Sequence, residues 1–404
     1  MITNELIKCC EEKLKTQFEY FEEVALFNQE KVLNAFKKNN LALRHFSGTS
    51  GYGYGDEGRD VLNQVFADIF GAEKAICSPY IVSGTHALSL CLFGVLMPGD
   101  SALCITGTPY DTLNDVVYGE NIGSLKDYGI DFQSIELVDD KINFIKIKEY
   151  FANFGVPKMI YLQRSRGYAW RDALSIAEIK KAVDFIKALG YDGCIMLDNC
   201  YGEFLDKKEA TEVGVNLMAG SMIKNPGGGI APTGGYVVGQ EKYVDMVSRR
   251  MTAPSISGEV GSYYNGYQYY FQGLFLAPHT VLQAIKGSLL FGMVLSEIGY
   301  ETSPQIGKNP NDIIRAIKFN DKDNLISFIQ AIQKNSPIDS HVDALPWAMP
   351  GYEDEVIMAA GCFVQGSSIE LSADAPIKPP YIAYLQGALT YEHAKIVIKN
   401  LKLN

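Results

Sequence analysis

Between about residues 60 and 250, short apolar runs alternate with stretches of helical periodicity, and this alternation restricts the fold more than any other feature of the chain. The runs KAICSPYIV, SALCITG, KMIYLQR, GCIMLDNC and GGYVVG are nearly continuous in apolar side chains. Strands of that kind are buried on both faces, which happens when helices cover both sides of a parallel sheet. An α/β architecture is therefore predicted for this segment. Ahead of it, Leu6, Leu14, Phe18, Phe21, Val24, Leu26, Val32, Leu33 and Phe36 recur roughly at helical spacing among charges, which predicts an N-terminal helical arm over residues 1–50. A large domain over 51–275 follows. A long apolar helix near 278–296 then leads to shorter alternating runs (EVIMAAGCFV, SSIELS) and a last helix from about residue 391. Residues 276–404 are thus expected to hold a connecting helix and a small α+β domain.

With 36 Lys+Arg against 47 Asp+Glu, the net charge of −11 argues against a general binder of nucleic acid or anionic membranes, which needs a surplus of cations. None of the eight cysteines forms a CxxC pair, and Cys91, Cys104 and Cys194 lie in apolar runs. Reduced, buried thiols are expected. Met1 to Thr16 contains no apolar signal segment, and the apolar run Ala87–Met97 is about half the length of a membrane span. These features predict a soluble, cytoplasmic protein. His45, His86, His279, His341 and His393 are too scattered to suggest a metal site.

Four positions stand out chemically. Lys224, in GSMIKNPGGGIAPTGGYVVG, sits between apolar elements where desolvation is expected to lower its pKa, as a Schiff-base lysine requires. Asp198 ends the run GCIMLD, at the carboxyl edge of a strand, where open α/β sheets bind ligands. Ser83, Gly84 and Thr85 precede an apolar helix and offer hydroxyls and free N–H groups to a phosphate, although a plain N-cap would look the same. Tyr110 follows SALCITG, where a ring could lie on a flat ligand.

The loop Phe46–Gly58 holds five glycines and two tyrosines, and its GYGDEG matches GxGxxG literally. No apolar strand precedes it, and Asp56 and Glu57 would repel a pyrophosphate. Tyr263, Tyr264, Tyr267, Tyr269 and Tyr270 form a cluster read as a subunit contact.

In chain order, these motifs resemble the fold-type I pyridoxal-phosphate enzymes. Through GTSGYGYGDEGRD, SGTHA, GTPYDTL, LDNCYGEF, GSMIKNPGGGIAPTGGYVVG and ELSADAPIKPPYIAYLQGALTYEH the chain is similar to the cystathionine β-lyase/methionine γ-lyase-like family often called aluminium resistance protein. The resemblance implies a large domain with a mostly parallel seven-stranded sheet, a small C-terminal α+β domain, pyridoxal 5'-phosphate as cofactor, and a homo-oligomer, either a dimer or a dimer of dimers. It implies a carbon–sulfur lyase acting on a sulfur-containing amino acid by β- or γ-elimination. Lys224 would carry the cofactor as a Schiff base and move the proton at the substrate Cα. Asp198 would keep the ring nitrogen protonated, and Ser83, Gly84, Thr85 and Ser221 would hold the phosphate. Tyr110 would stack on the ring, while Tyr54 (or Tyr52) and Arg59 would reach the neighbouring subunit's phosphate. Where relatives carry a carboxylate-binding arginine before a Leu-Ser pair, this chain has Glu370. Arg164 or Arg166 is therefore expected to supply the substrate clamp. Glu370 also leaves open a pyridoxal-phosphate-binding homo-oligomer with another reaction or a regulatory role.

Overall fold

The structure is a computed structural model that describes residues 2–349 and 352–402. The larger sheet comprises β1 (Lys74–Ser78), β2 (Ser101–Cys104), β3 (Asp131–Ser134), β4 (Met159–Gln163), β5 (Cys194–Asp198), β6 (Leu217–Ser221) and β7 (Gly235–Gly239). Their spatial order is β1-β7-β6-β5-β4-β2-β3. β7 is antiparallel to both neighbours and the remaining pairs are parallel. Every residue of β4 to β7 is buried, which explains their unbroken apolar runs. The expected seven-stranded, mostly parallel sheet is present.

A second sheet contains β8 (Glu301–Ser303), β9 (Ile314–Lys318), β10 (Val356–Ala359), β11 (Ser372–Pro376) and β12 (Ile382–Gln386), all antiparallel, in the order β10-β11-β12-β9-β8. Of SSIELS, only Ser372 belongs to a strand. The last helix is Tyr391–Asn400.

The first 38 residues form one helix, Asn4–Lys38, capped by Thr3 Oγ1 accepting from Leu6 N at 3.1 Å. It lies along the long helix Gln268–Glu297: Gln29 Nε2 donates to Phe275 O at 3.0 Å, and Lys13 pairs with Glu297 at 2.6 Å. Ile7, Leu14, Phe21, Val24 and Val32 are buried there, whereas Leu26 and Leu33 are exposed and belong to a different face.

The long helix begins ten residues before its expected start, with Pro278 inside it, so position 275/276 falls within a continuous helix. Its glycine- and tyrosine-rich first turns carry little apolar periodicity, which hid them. By length and composition it matches a membrane span, but 67% of its apolar window is buried inside the protein.

Close backbone approach explains the glycines after Lys224. Gly228 has φ +56°, and a Cβ there would stand 2.3 Å from Gly273 O on the long helix. Only glycine on both sides allows that contact, and it presses the Lys224 loop onto the helix.

Candidate active site

β4, β5 and β6 end on one side of the sheet, where a cavity of about 360 Å³ opens toward the second sheet. Ser83, Gly84, Thr85, Tyr110, Asp198, Ser221 and Lys224 all line it. Residues separated by up to 141 positions thus converge at the carboxyl ends of parallel strands, where the helix N-termini also point.

Ser83 caps the helix Gly84–Val95, its Oγ accepting from His86 N at 3.0 Å. The cap and the phosphate reading are compatible, because the first-turn N–H groups and the dipole's positive end remain directed at the cavity. Thr85 Oγ1 lies 2.9 Å from Thr112 Oγ1, and Ser221 ends β6 beside Gly84, whose Cβ would come within 3.6 Å of the serine's own. Asp198 Oδ1 accepts from Cys200 N at 3.0 Å. Burial raises its pKa and Lys224 lowers it. Neither Asp198, which is buried, nor Lys224, which is partly buried, belongs to an ion pair among the described residues.

The lysine differs from expectation. Burial does pull its pKa down, but Cys200, Tyr201 and Asp198, together with a hydrogen bond to Tyr201, outweigh it and raise the pKa above the ordinary lysine value. Its Nζ lies 4.0 Å from the Tyr201 ring centroid, a cation–π contact.

These residues fit pyridoxal phosphate. A primary amine is available to its aldehyde, an unpaired carboxylate to its ring nitrogen, and a helix N-terminus with Thr85 and Ser221 hydroxyls to its phosphate.

Behind the lysine lies a buried polar network. Glu203 is fully buried and accepts from Tyr236 Oη at 2.6 Å; burial pushes its pKa up to about 8. Asn225 Nδ2 donates to Glu203 O at 3.0 Å. Nothing in LDNCYGEF distinguishes this glutamate from a surface one.

Arg164 and Arg166 do not line the cavity, and the clamp expectation is corrected. Arg164 Nη1 donates to Asn199 Oδ1 at 2.9 Å and Gly202 O at 2.8 Å, and its Nε to Leu174 O at 3.2 Å. Arg166 Nη1 donates to Ser303 Oγ at 3.0 Å, and its Nε lies 3.7 Å from Asp312. Both guanidiniums are buried behind the wall, Arg164 held by two carbonyls and an amide oxygen and Arg166 by Ser303 with Asp312 as its counterion, and leaving these partners would be costly. Glu370 also points elsewhere, accepting from Phe363 N at 2.8 Å and Val364 N at 2.9 Å. It ties down the loop after β10, so it does not repel a substrate carboxylate.

Tyr52 and Tyr54 are exposed outside the cavity, with rings 5.9 Å apart. Arg59 Nη1 donates to Gly53 O at 3.1 Å and holds the glycine-rich loop. Asp56 caps the next helix and accepts from Tyr267 Oη at 2.9 Å. Tyr267 and Tyr270 are core residues, while Tyr264 and Tyr269 are exposed. All eight cysteines are free and seven are buried, Cys200 at the cavity wall.

The far wall was not foreseen. Tyr168, Tyr352, Tyr384, Asp374 and Gln386 line it. Tyr110 Oη and Tyr352 Oη are 2.7 Å apart, and Asp374 faces Tyr384 across β11 and β12.

Residues 3–403 match the family model for methionine gamma-lyase. The uncharacterized protein YnbB of Bacillus subtilis is 48% identical over 381 residues, 93% of this chain and 90% of its own. A solved structure from Clostridium novyi, described as a carbon-sulfur lyase involved in aluminum resistance, is 48% identical and superposes with a TM-score of 0.94, covering 98% of this chain and 94% of the other. The pyridoxal-5'-phosphate-dependent protein YhfS of Escherichia coli shares the fold at 15% identity, with a TM-score of 0.62 over 94% and 96% of the two chains. With near full-length agreement in sequence and fold, the chain belongs to the methionine gamma-lyase family of fold-type I pyridoxal-phosphate enzymes.

Proposed function

We propose that the chain is a pyridoxal-phosphate-dependent carbon–sulfur lyase that removes a sulfur-bearing group from the side chain of an amino acid. The observation that carries this reading is the convergence of Lys224, Asp198 and the Ser83–Thr85/Ser221 cradle on one cavity whose far wall is lined by tyrosines. When bound, pyridoxal phosphate supplies an electron sink at the substrate Cα. Lys224 Nζ takes the Cα proton and holds it. Asp198 keeps a proton on the ring nitrogen, being the one carboxylate at that end of the cavity among the described residues. Tyr110 has its pKa raised by burial, with Asp374 and Tyr352 adding to the effect, so its phenol stays protonated and acts as a donor. As the C–S bond breaks, its electron pair goes to sulfur, and a proton passes to the sulfur through the Tyr110 and Tyr352 hydroxyls as the one taken up by Lys224 replaces it, so Tyr110 ends protonated. In this reading the protein works in the cytoplasm as a homo-oligomer, with Tyr54 and Arg59 reaching a neighbour's phosphate and residues 1–50, 51–275 and 276–404 as arm, cofactor domain and closing domain.

The test is the absorbance band at about 420 nm expected of a lysine-bound cofactor, followed by thiol release from cystathionine, cysteine and methionine. The reading expects band and release in the wild type and neither in Lys224→Ala. A band without release from any sulfur amino acid overturns it.

A further inference from the structure

The cavity's charges are unbalanced. Among the described residues, its charged lining residues are Asp198, Lys224 and Asp374, with no arginine. On the lyase reading, on which this inference rests, Asp198 and Lys224 serve the cofactor. Asp374 then remains at the opposite end without a counterion. Its partners are neutral: Gln386 Nε2 donates to it at 3.4 Å, the Tyr168 hydroxyl is a second donor, and it forms no ion pair among the described residues. Arg164, Arg166, Arg171 and Arg315 are all turned away and hold Gly202 O, Ser303 Oγ, Ser165 O and Ser288 O, respectively.

Around this carboxylate stand four tyrosine rings. Tyr168 lies 5.0 Å from Tyr384, 5.7 Å from Tyr110 and 5.9 Å from Tyr352, the last two crossing it at 65° and 41°. The Tyr168 hydroxyl is buried beside Asp374, Tyr110 and Tyr352. Rings inclined to each other around a carboxylate form a box that attracts cations, because each face carries a negative quadrupole and the anion supplies a full charge. A neutral thioether would gain little from Asp374 and would leave it desolvated against the ligand.

We propose that Asp374 and the tyrosine box of Tyr110, Tyr168, Tyr352 and Tyr384 select substrates whose leaving group carries a positive charge, either an ammonium or a sulfonium. Asp374 is thereby a specificity residue, and the box accepts alkylated as well as protonated cations because ring faces need no hydrogen donor.

Binding to the holoenzyme tests this independently of cleavage. Lysine and norleucine differ by one terminal cation, and each is titrated against the absorbance band of the bound cofactor. Wild-type protein is expected to bind lysine at least about tenfold more tightly than norleucine. Asp374→Asn is expected to bring that ratio to about one, and Asp374→Glu to restore part of it. Equal affinities in the wild type, a preference for norleucine, or a ratio unchanged in Asp374→Asn each overturns the proposal. Kinetics separate the sources: kcat/KM for S-methylmethionine against methionine reads the sulfonium, and for cystathionine against methionine the ammonium. A lysine preference without sulfur release from any substrate supports the box and sinks the lyase reading. Methionine cleavage with no cation preference does the reverse.

Discussion

Replacing Arg164 with methionine separates a structural arginine from a substrate clamp. The side chain makes three hydrogen bonds, to Leu174 O, Asn199 Oδ1 and Gly202 O, and is buried. Methionine fills much of the same volume, so the main loss is three acceptors left unpartnered in a buried region, each costing about 1–2 kcal/mol, or about 3–6 kcal/mol together. At about 2.1 cal/mol/K per residue, a chain of 404 residues unfolds with an entropy of about 0.8 kcal/mol/K. The thermal midpoint should therefore fall by about 4–7 °C in calorimetry. Asn199 and Gly202 flank Cys200 and Tyr201 at the cavity wall, so cofactor affinity falls as well. With cofactor saturating, KM for substrate should stay within about threefold of wild type, because the guanidinium does not reach the cavity. An unchanged midpoint with KM raised a hundredfold would refute this reasoning and reinstate the clamp.

Glu203 gives stability a pH dependence of definite sign. Its folded pKa of about 8 exceeds the ordinary 4.5, so the fold retains a proton that the unfolded chain releases. Stability from this site is greatest below pH 4.5 and declines as pH rises toward 8. Glu203→Gln should flatten that part of the profile of melting temperature between pH 5 and 9; an identical slope in both proteins would count against it. Gly228→Ala forces a Cβ to within 2.3 Å of Gly273 O at φ +56° and should cost about 2–4 kcal/mol. Gly299→Ala, also at positive φ but in open space, should cost only about 1–2 kcal/mol, and equal melting shifts in the two would contradict the packing argument. If Arg59 and Tyr54 serve a neighbour's site, mixing inactive Lys224→Ala with inactive Arg59→Ala and reassembling them should restore activity, since one site in each mixed pair is intact. No recovery would place Arg59 in its own subunit's function.

That Asp198, Ser83 and Lys224 stand out chemically was legible because each rests on local signals, and the structure brings them to one cavity. Asp198 ends an apolar strand, Ser83 begins a helix and Lys224 lies among glycines, and each position has a physical reason visible within ten residues of it. The far wall has no such signature. Asp374 and Tyr384 sit in short strands of small and mixed residues, and which of them faces the cavity depends on how the second sheet docks. Buried arginines misled for a related reason: RSRGYAWR looks like a cluster reaching for an anion, while the structure uses Arg164 and Arg166 on carbonyls and Asp312. The sign of the lysine's pKa shift was equally hidden, because it depends on Tyr201 and Cys200, whose approach to Lys224 follows from the turn after β5.

Both walls of the cavity rest on one rod. At Gly273 the long helix receives the Lys224 loop, and at Gly292 it receives Arg315 of β9, whose guanidinium a Cβ would strike at 2.7 Å. Nineteen residues separate the two notches, about 28 Å at a helical rise of 1.5 Å. The helix is thus a ruler, and one inserted residue would move the notches apart by 1.5 Å and turn one about the axis by about 100°. Loops bordering the cavity can lengthen or shorten freely, but the count from Gly273 to Gly292 cannot. Chains that keep this cavity should keep that count even where their loops differ.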